Sequence, residues 1–288
     1  MKKYIKLVRV EHYTKNLFVF FPAFFASELN NSEVIFESLY AFLSFSFIAS
    51  SIYIFNDWMD KEDDAKHKTK RFRPIASGEI NSYQAFISMI LMFLLSTSIA
   101  VNVEIQLLYI ILLYFFLNIL YSYKLKSIPI IDIFIISSGF VLRIFAGSSV
   151  SGIYISHWIV IMTFLLALFL ALAKRRDDVI SYEQSKIKTR SVVDGYNRVF
   201  IDLSIVMTSS IVFLTYLLWC VSSEVQSKLN SQYLYVTSFF VLLGIMRYMQ
   251  ITFVHEKSGN PTKILISDMY LQTIIGFWLL AFVIVLYI

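Results

Sequence analysis

Long apolar runs alternate along this chain with short charged segments. Runs free of Asp, Glu, Lys and Arg cover residues 38–56, 82–103, 105–123, 144–173, 203–223, 229–246 and 269–288. A helix needs roughly 20 mostly apolar residues to cross a bilayer, and all but one of these runs are near that length. The 144–173 run is too long for one crossing, and Gly147 and Gly152 sit where a turn would divide it. Its first part then joins 132–143 as one helix, and its second part becomes another. A short apolar stretch at 15–28, kinked near Pro22, adds a first span and brings the count to nine. No run alternates polar and apolar positions as a membrane strand would. The expected fold is an all-α integral membrane bundle, a single domain over residues 1–288.

Composition narrows the class further. Hydrophobic residues make up 58% of the chain and charged ones 16%, against about 25% charged in a soluble protein. That leaves too little polar surface to cover a soluble core, and disorder would need the opposite bias. The one cysteine, Cys220, lies in an apolar run, and the four histidines have no ligand spacing. Disulfide frameworks, zinc fingers and iron–sulfur sites are therefore excluded. The net charge of +5 does not point to nucleic acid, because the cations are sorted by loop.

Basic residues collect in cytoplasmic loops. With nine spans, 23 of the 25 Lys and Arg fall on one side, Lys228 alone falls on the other, and Arg143 lies inside a span. The N-terminus is expected in the cytoplasm and the C-terminus outside, in a multi-pass inner-membrane protein. The longest cytoplasmic connections, about 56–81 and 174–199, follow the second and sixth spans. Four spans separate them, as in two four-helix halves followed by a ninth helix.

The first of these connections carries the chemistry. It opens Asn56-Asp57-Trp58-Met59-Asp60-Lys61-Glu62-Asp63-Asp64. At about 100° per residue, Asn56, Asp57, Asp60 and Asp64 share one face if the helix continues. Stacked carboxylates repel unless a cation holds them, and hard oxygen ligands at this spacing suit Mg²⁺ with substrate phosphates. The bland alternative is a solvated acidic loop, but ionisable groups at a membrane boundary are functional by default. Next comes Lys66-His67-Lys68-Thr69-Lys70-Arg71-Phe72-Arg73-Pro74-Ile75-Ala76-Ser77-Gly78. These cations suit a Mg²⁺-bridged polyphosphate; they also suit headgroup anchoring. Lys66 and Lys68 read better as anchors, Arg71 and Arg73 as phosphate ligands.

The Asn-Asp-x-x-Asp-x-x-x-Asp box, the Arg-Pro-Ile-Ala-Ser-Gly segment and nine predicted helices together resemble the UbiA superfamily of intramembrane prenyltransferases. The resemblance spans essentially the whole chain. It implies a helical bundle with a central cavity, open to the cytoplasm for phosphates and laterally to the bilayer for a polyprenyl chain. Most members move a prenyl group from a prenyl diphosphate to an aromatic acceptor, using a second aspartate-rich box after the sixth helix. Here that place reads Ala173-Lys174-Arg175-Arg176-Asp177-Asp178-Val179. Three cations stand where the leading acid is expected, which suits a site receiving unchelated phosphates.

Other segments resemble the decaprenyl-phosphate phosphoribosyltransferase branch of that superfamily. They are His12-Tyr13-Thr14-Lys15-Asn16, Tyr121-Ser122-Tyr123-Lys124-Leu125-Lys126, Ser138–Gly147, Lys174-Arg175-Arg176 and, more weakly, Arg247-Tyr248. The branch implies transfer of 5-phosphoribosyl from 5-phosphoribosyl 1-diphosphate to a polyprenyl phosphate, for cell-envelope polysaccharide synthesis. Asn56, Asp57, Asp60 and Asp64 are then expected to hold Mg²⁺ and the donor diphosphate, with Asp63 as a further candidate. Arg71, Arg73, Lys174, Arg175 and Arg176 are expected to hold phosphates of donor or acceptor. Lys15 and Lys126 are candidates for the lipid phosphate or the ribose 5-phosphate. No nucleic acid is expected; whether the chain forms a homo-oligomer is open.

Two residues carry double readings. Arg143 sits within an apolar span, where a guanidinium needs a partner. Asp132, 11 residues earlier, is about three helical turns away and on the same face. Arg143 is thus either one end of a structural ion pair or a phosphate ligand. Tyr121 either reaches a phosphate or ribose hydroxyl or packs in the core. Two rival functions stand beside the main one. Aromatic or quinone-precursor prenyl transfer would need Asp177, Asp178 and Glu183 as a second acidic group. A cation-coupled transporter would need acids on the outer half of the spans.

Overall fold

The computed structural model of the chain describes residues 2–66, 69–185 and 191–287. Among them every regular element is helical. Seven helices are long and apolar enough to cross a membrane: α3 (Ser32–Met59), α5 (Ser82–Val103), α6 (Ile105–Tyr123), α7 (Ile131–Ser151), α8 (His157–Ser185), α9 (Arg198–Val221), and Leu234–Phe253, which includes α11 (Ser238–Phe253). An eighth candidate is broken: α12 (Pro261–Ser267) and α13 (Met269–Tyr287) meet at an 81° bend. This is an integral membrane protein.

Helix ends follow local chemistry. The side chains of Asn31, Asn197 and Asn260 accept backbone N–H bonds at the starts of α3, α9 and α12. Asn81 and Gln84 form a reciprocal capping box on α5. The acceptors replace partners that the first turn of a helix lacks. The long run at 144–173 divides at Gly152, where α7 has just ended and φ is +64°. Gly147 serves packing instead: a Cβ there would stand 1.8 Å from the Val19 carbonyl oxygen, so only glycine admits this approach.

The expected first span takes another form. Val10–Phe20 is a 3-10 helix, preceded by α1 (Lys2–Val8) and followed by the five-residue α2 (Phe21–Phe25). A 3-10 helix rises about 2.0 Å per residue against 1.5 Å for an α-helix. At the 3-10 rise the eleven residues of Val10–Phe20 account for about 22 Å, short of the roughly 30 Å of a hydrocarbon core. Long 3-10 runs are uncommon, and side-chain bonds brace this one. Tyr13 pairs with Ser50 (3.0 Å), and Asn16 donates to Ser46 (2.9 Å).

Packing divides the chain into two compact units. The first comprises Met1–Leu125 with Gly139–Ile155; the second comprises Lys126–Ser138 with Ser156–Ile288. In the first unit α3 is the central post, with Phe45, Ile48 and Ile52 against Ile111, Tyr114 and Leu142. Ser44 and Ser96 each donate to the other's backbone carbonyl (2.8 and 2.7 Å), joining α3 to α5. Small residues at such seams let helices approach where lipid supplies no hydrophobic drive. In the second unit α8 packs on α9, with Leu168, Phe169 and Leu172 among Ile201, Ile205, Tyr248 and Ile251.

Candidate active site

In the first unit the box forms where α3 ends and the six-residue α4 (Lys61–Lys66) begins. The helical bonding runs through the join: Asp60 N–H donates to the Asn56 carbonyl (2.9 Å), and Asp64 N–H to the Asp60 carbonyl (2.8 Å). Asn56 also donates from Nδ2 to Asp60 Oδ2 (3.1 Å). The helix nonetheless breaks at Asp60 (φ −91°, ψ 8°), and contacts rather than one unbroken face gather the box: Asn56 to Asp60, and Asp57 to Asp64 through Arg73. Asp57 stands in the last turn of α3, where the dipole disfavours negative charge, and both Asp57 and Asp64 are buried. Cations must compensate.

Arg73 supplies the first. Its Nη1 lies 3.0 Å from Asp57 Oδ1 and 2.5 Å from Asp64 Oδ2. The turn that carries it is anchored: Ile75 and Ile80 are buried with Leu7, Ile54 and Ala85. Ser77 N–H bonds the Arg73 carbonyl (2.8 Å), and Gly78 takes a φ of +79°. Lys70 stands 3.7 Å from Asp64. Arg71, expected beside Arg73, is exposed and stacks on Phe72 at 4.8 Å.

Arg9 was not among the expected site residues. Its Nη2 lies 2.5 Å from Asp57 Oδ1, and its guanidinium rests 5.1 Å from the Tyr53 ring centroid. Its backbone is left-handed, with φ 55°, a conformation uncommon outside glycine. In the sequence it is one of five N-terminal cations counted only for topology or, for Lys15, as a phosphate candidate, and only the turn after α1 singles it out.

The donor set fits Mg²⁺. Two buried carboxylate oxygens already converge on one positively charged nitrogen, and Mg²⁺ takes one or two carboxylates with phosphates and water completing the shell. Among the described residues, no three His, Cys, Asp or Glu side chains gather closely enough to cage a metal by themselves.

Arg143 corrects an expectation. It is buried, and it donates to Asn16 Oδ1 (2.8 Å), the Gly139 carbonyl (2.6 Å) and the Tyr114 hydroxyl (3.2 Å). The rings of Phe45, Tyr114 and Phe140 surround its guanidinium at 4.7–5.3 Å. The expected pair with Asp132 does not form, because eleven helical residues are about 16 Å of rise; a shared face is not a shared height. Lys15 is half-buried, with Arg143, Arg9 and Glu11 as its charged neighbours. Tyr121 is half-buried in the last turn of α6.

The second unit holds a separate charge cluster. Arg175 pairs with Asp132 (2.5 Å) and Asp178 (2.7 Å), and Tyr196 donates to Asp132 Oδ1 (2.6 Å) while accepting from Ile130 N–H (2.7 Å). Burial and this bond to Asp132 hold the Tyr196 hydroxyl protonated well above the ordinary tyrosine range. Arg176 donates to Asp202 (2.7 Å) and to the Thr252 carbonyl (2.8 Å), with the Phe253 ring 5.0 Å away. Asp177 is bonded by Ser258 Oγ (2.7 Å), and a Cβ on Gly259 would stand 2.9 Å from Asp177 Oδ2. Lys174 and Glu183 are exposed, and Lys126 is half-buried in the 3-10 turn Leu125–Ser127. Lys68 and residues 186–190 of the second loop lie outside the described residues.

The family model described as the UbiA prenyltransferase family matches residues 16–274. A decaprenyl-phosphate phosphoribosyltransferase of Corynebacterium glutamicum is 30% identical over 99% of this chain and 86% of its own length. One from Mycolicibacterium smegmatis is 29% identical over 96% of this chain and 89% of its own. Among solved structures, a UbiA homolog from Archaeoglobus fulgidus bound to GPP and Mg²⁺ superposes with a TM-score of 0.73 at 19% identity, covering 96% of this chain and 98% of that one.

Proposed function

The chain belongs to the UbiA prenyltransferase family, a family of membrane transferases, and on that footing we propose that it transfers 5-phosphoribosyl from 5-phosphoribosyl 1-diphosphate to a polyprenyl phosphate. Diphosphate leaves, and the product serves cell-envelope polysaccharide synthesis. The box faces the cytoplasm, as does the end of α8, which carries Lys174–Arg176 in helix where a loop from 174 was expected; the N-terminus lies on the same side.

One observation carries the choice over prenyl transfer to an aromatic acceptor. Asp177 and Asp178, the acids available for a second metal box, are bound by Ser258 and Arg175. Asp57 and Asp64 instead converge on a single Arg73 nitrogen, whereas Asp177 and Asp178 turn to different partners, which favours the first box as the metal seat. The names and identities of the bacterial relatives support the same branch.

The chemistry asks little of a base. A phosphate monoester is already ionised near neutral pH, so its oxygen can attack ribose C1 without losing a proton. The demanding step is release of diphosphate from an oxocarbenium-like ribose. Mg²⁺, when held by Asn56, Asp57, Asp60 and Asp64, would supply Lewis-acid charge to that leaving group. Arg71 and Arg73 add hydrogen bonds that strengthen as charge develops. Lys174, exposed on α8, is assigned to a donor or acceptor phosphate, while Arg175 and Arg176, buried against Asp132, Asp178 and Asp202, hold the helices beside it. Lys15, Lys126 and Tyr121 are assigned to the lipid phosphate, the 5-phosphate or a ribose hydroxyl. Arg143 holds the 3-10 segment, α6 and α7 in register around them.

A paired assay on purified protein with Mg²⁺ tests the reading. One reaction contains labelled 5-phosphoribosyl 1-diphosphate and a polyprenyl phosphate; the other contains a prenyl diphosphate and 4-hydroxybenzoate. A labelled, acid-labile lipid in the first alone is the expected result. Product only in the second would overturn it and return Asp177 or Asp178 to metal binding.

A further inference from the structure

The acidic box is layered. Asp57 and Asp64 form the inner layer, with side chains 2–3% exposed, while Arg73 and Arg9 cover them at 26% and 16%. The open side of the box is therefore lined by guanidinium groups. Asp60 beside them is half-exposed, but a divalent cation that is to reach Asp57 or Asp64 must displace these arginines.

The charges balance as they stand: the carboxylates of Asp57, Asp60 and Asp64 against Arg9, Lys70 and Arg73. Adding Mg²⁺ alone would leave two excess positive charges in a partly buried site, where such charges are poorly screened. Adding a diphosphate alone would bring anions to arginines already engaged by Asp57 and Asp64. Adding both lets the metal satisfy the carboxylates and the arginines satisfy the diphosphate. Arginine suits the exchange, because its planar fork matches carboxylate and phosphate oxygens equally.

We propose that Arg73 and Arg9 compete with Mg²⁺ for Asp57 and Asp64 and are handed on to the diphosphate, so that metal and diphosphate bind cooperatively. This rests on reading the box as a metal–diphosphate seat. The exchange is a swing of side chains. The backbone after Arg73 is pinned by Ile75 and Ile80, and that around Arg9 by Ser50, whose hydroxyl donates to the Val8 carbonyl (2.7 Å). Coupling between ligands is reciprocal, so each raises the other's affinity by the same factor.

The test measures Mn²⁺ binding by electron paramagnetic resonance on the purified full-length protein, with and without inorganic diphosphate. Wild-type protein is expected to bind Mn²⁺ about tenfold more tightly when diphosphate is present, within the usual range of coupling. Arg73→Gln removes the competitor. It should bind Mn²⁺ more tightly than wild type without diphosphate and lose most of the enhancement. Arg9→Gln should shift both quantities the same way, and gives a second reading if Arg73→Gln fails to fold. Asp57→Asn should weaken binding in both conditions, which assigns the signal to the box. Equal or weaker Mn²⁺ binding by the folded arginine variants, without diphosphate, would overturn the exchange. No ribose or lipid enters these tubes, so failure of the phosphoribosyl reading in the paired assay leaves this result standing, and the reverse also holds.

Discussion

The two charge clusters are built inside out relative to one another. In the first unit the carboxylates of Asp57 and Asp64 are inside and the arginines lie toward water. In the second unit the guanidiniums are inside: the Arg176 side chain is 2% exposed against 31% for Asp202. Arg175 is buried against an equally buried Asp132, with Tyr196 filling the remaining valence. A buried cation ringed by carboxylates, a tyrosine and a backbone carbonyl is a joint between helices. A buried pair of carboxylates under a movable cationic cover is a seat for an exchangeable cation. Similar sets of aspartates and arginines thus serve opposite ends, and burial order is what separates them.

That contrast can be broken in several ways. The largest effect is expected from Asp57→Asn or Asp60→Asn. Turnover in the phosphoribosyl-transfer assay should fall by at least about a hundredfold, with the thermal transition retained; near-normal turnover would remove the metal assignment. Next is Arg175→Gln in the second unit, which strands Asp132. Breaking a buried pair costs about 3–5 kcal/mol, so the loss should show as a lowered melting temperature. A stable, inactive Arg175→Gln protein would instead make Arg175 a substrate ligand.

Arg143→Lys is expected to be milder. It removes the three-way fork to Asn16, Gly139 and Tyr114, at about 1–3 kcal/mol for buried acceptors left unpaired. Thermal stability should drop more than donor affinity; the reverse order would assign Arg143 to a phosphate. The smallest effect is expected from Lys70→Gln. That ion pair is long and partly exposed, so its stability contribution is at most about 1 kcal/mol, and added salt should erase it.

Much of this was legible in the order of residues. The charge-free runs at 82–103 and 105–123 coincide with α5 and α6, because Glu104 between them is also the N-cap of α6. The grouping of Asn56, Asp57, Asp60 and Asp64 was expected from helical period, although the break at Asp60 leaves it to contacts rather than to one face. Three features were not legible, each for a physical reason. The first apolar stretch folds as a 3-10 helix through contacts with Ser46, Ser50 and Gly147, all distant in sequence. Arg9 reaches Asp57 through a left-handed turn that its neighbours do not specify. Arg143 and Asp132 satisfied the angular rule but not the axial one, and a tertiary partner took each.

The serine seam between α3 and α5 carries one more consequence. Ser44 and Ser96 each rely on the opposite helix for an acceptor, and hydrocarbon offers no substitute for either. Parting these two helices would cost both bonds together, so α3 and α5 are expected to shift as a pair rather than slide past one another.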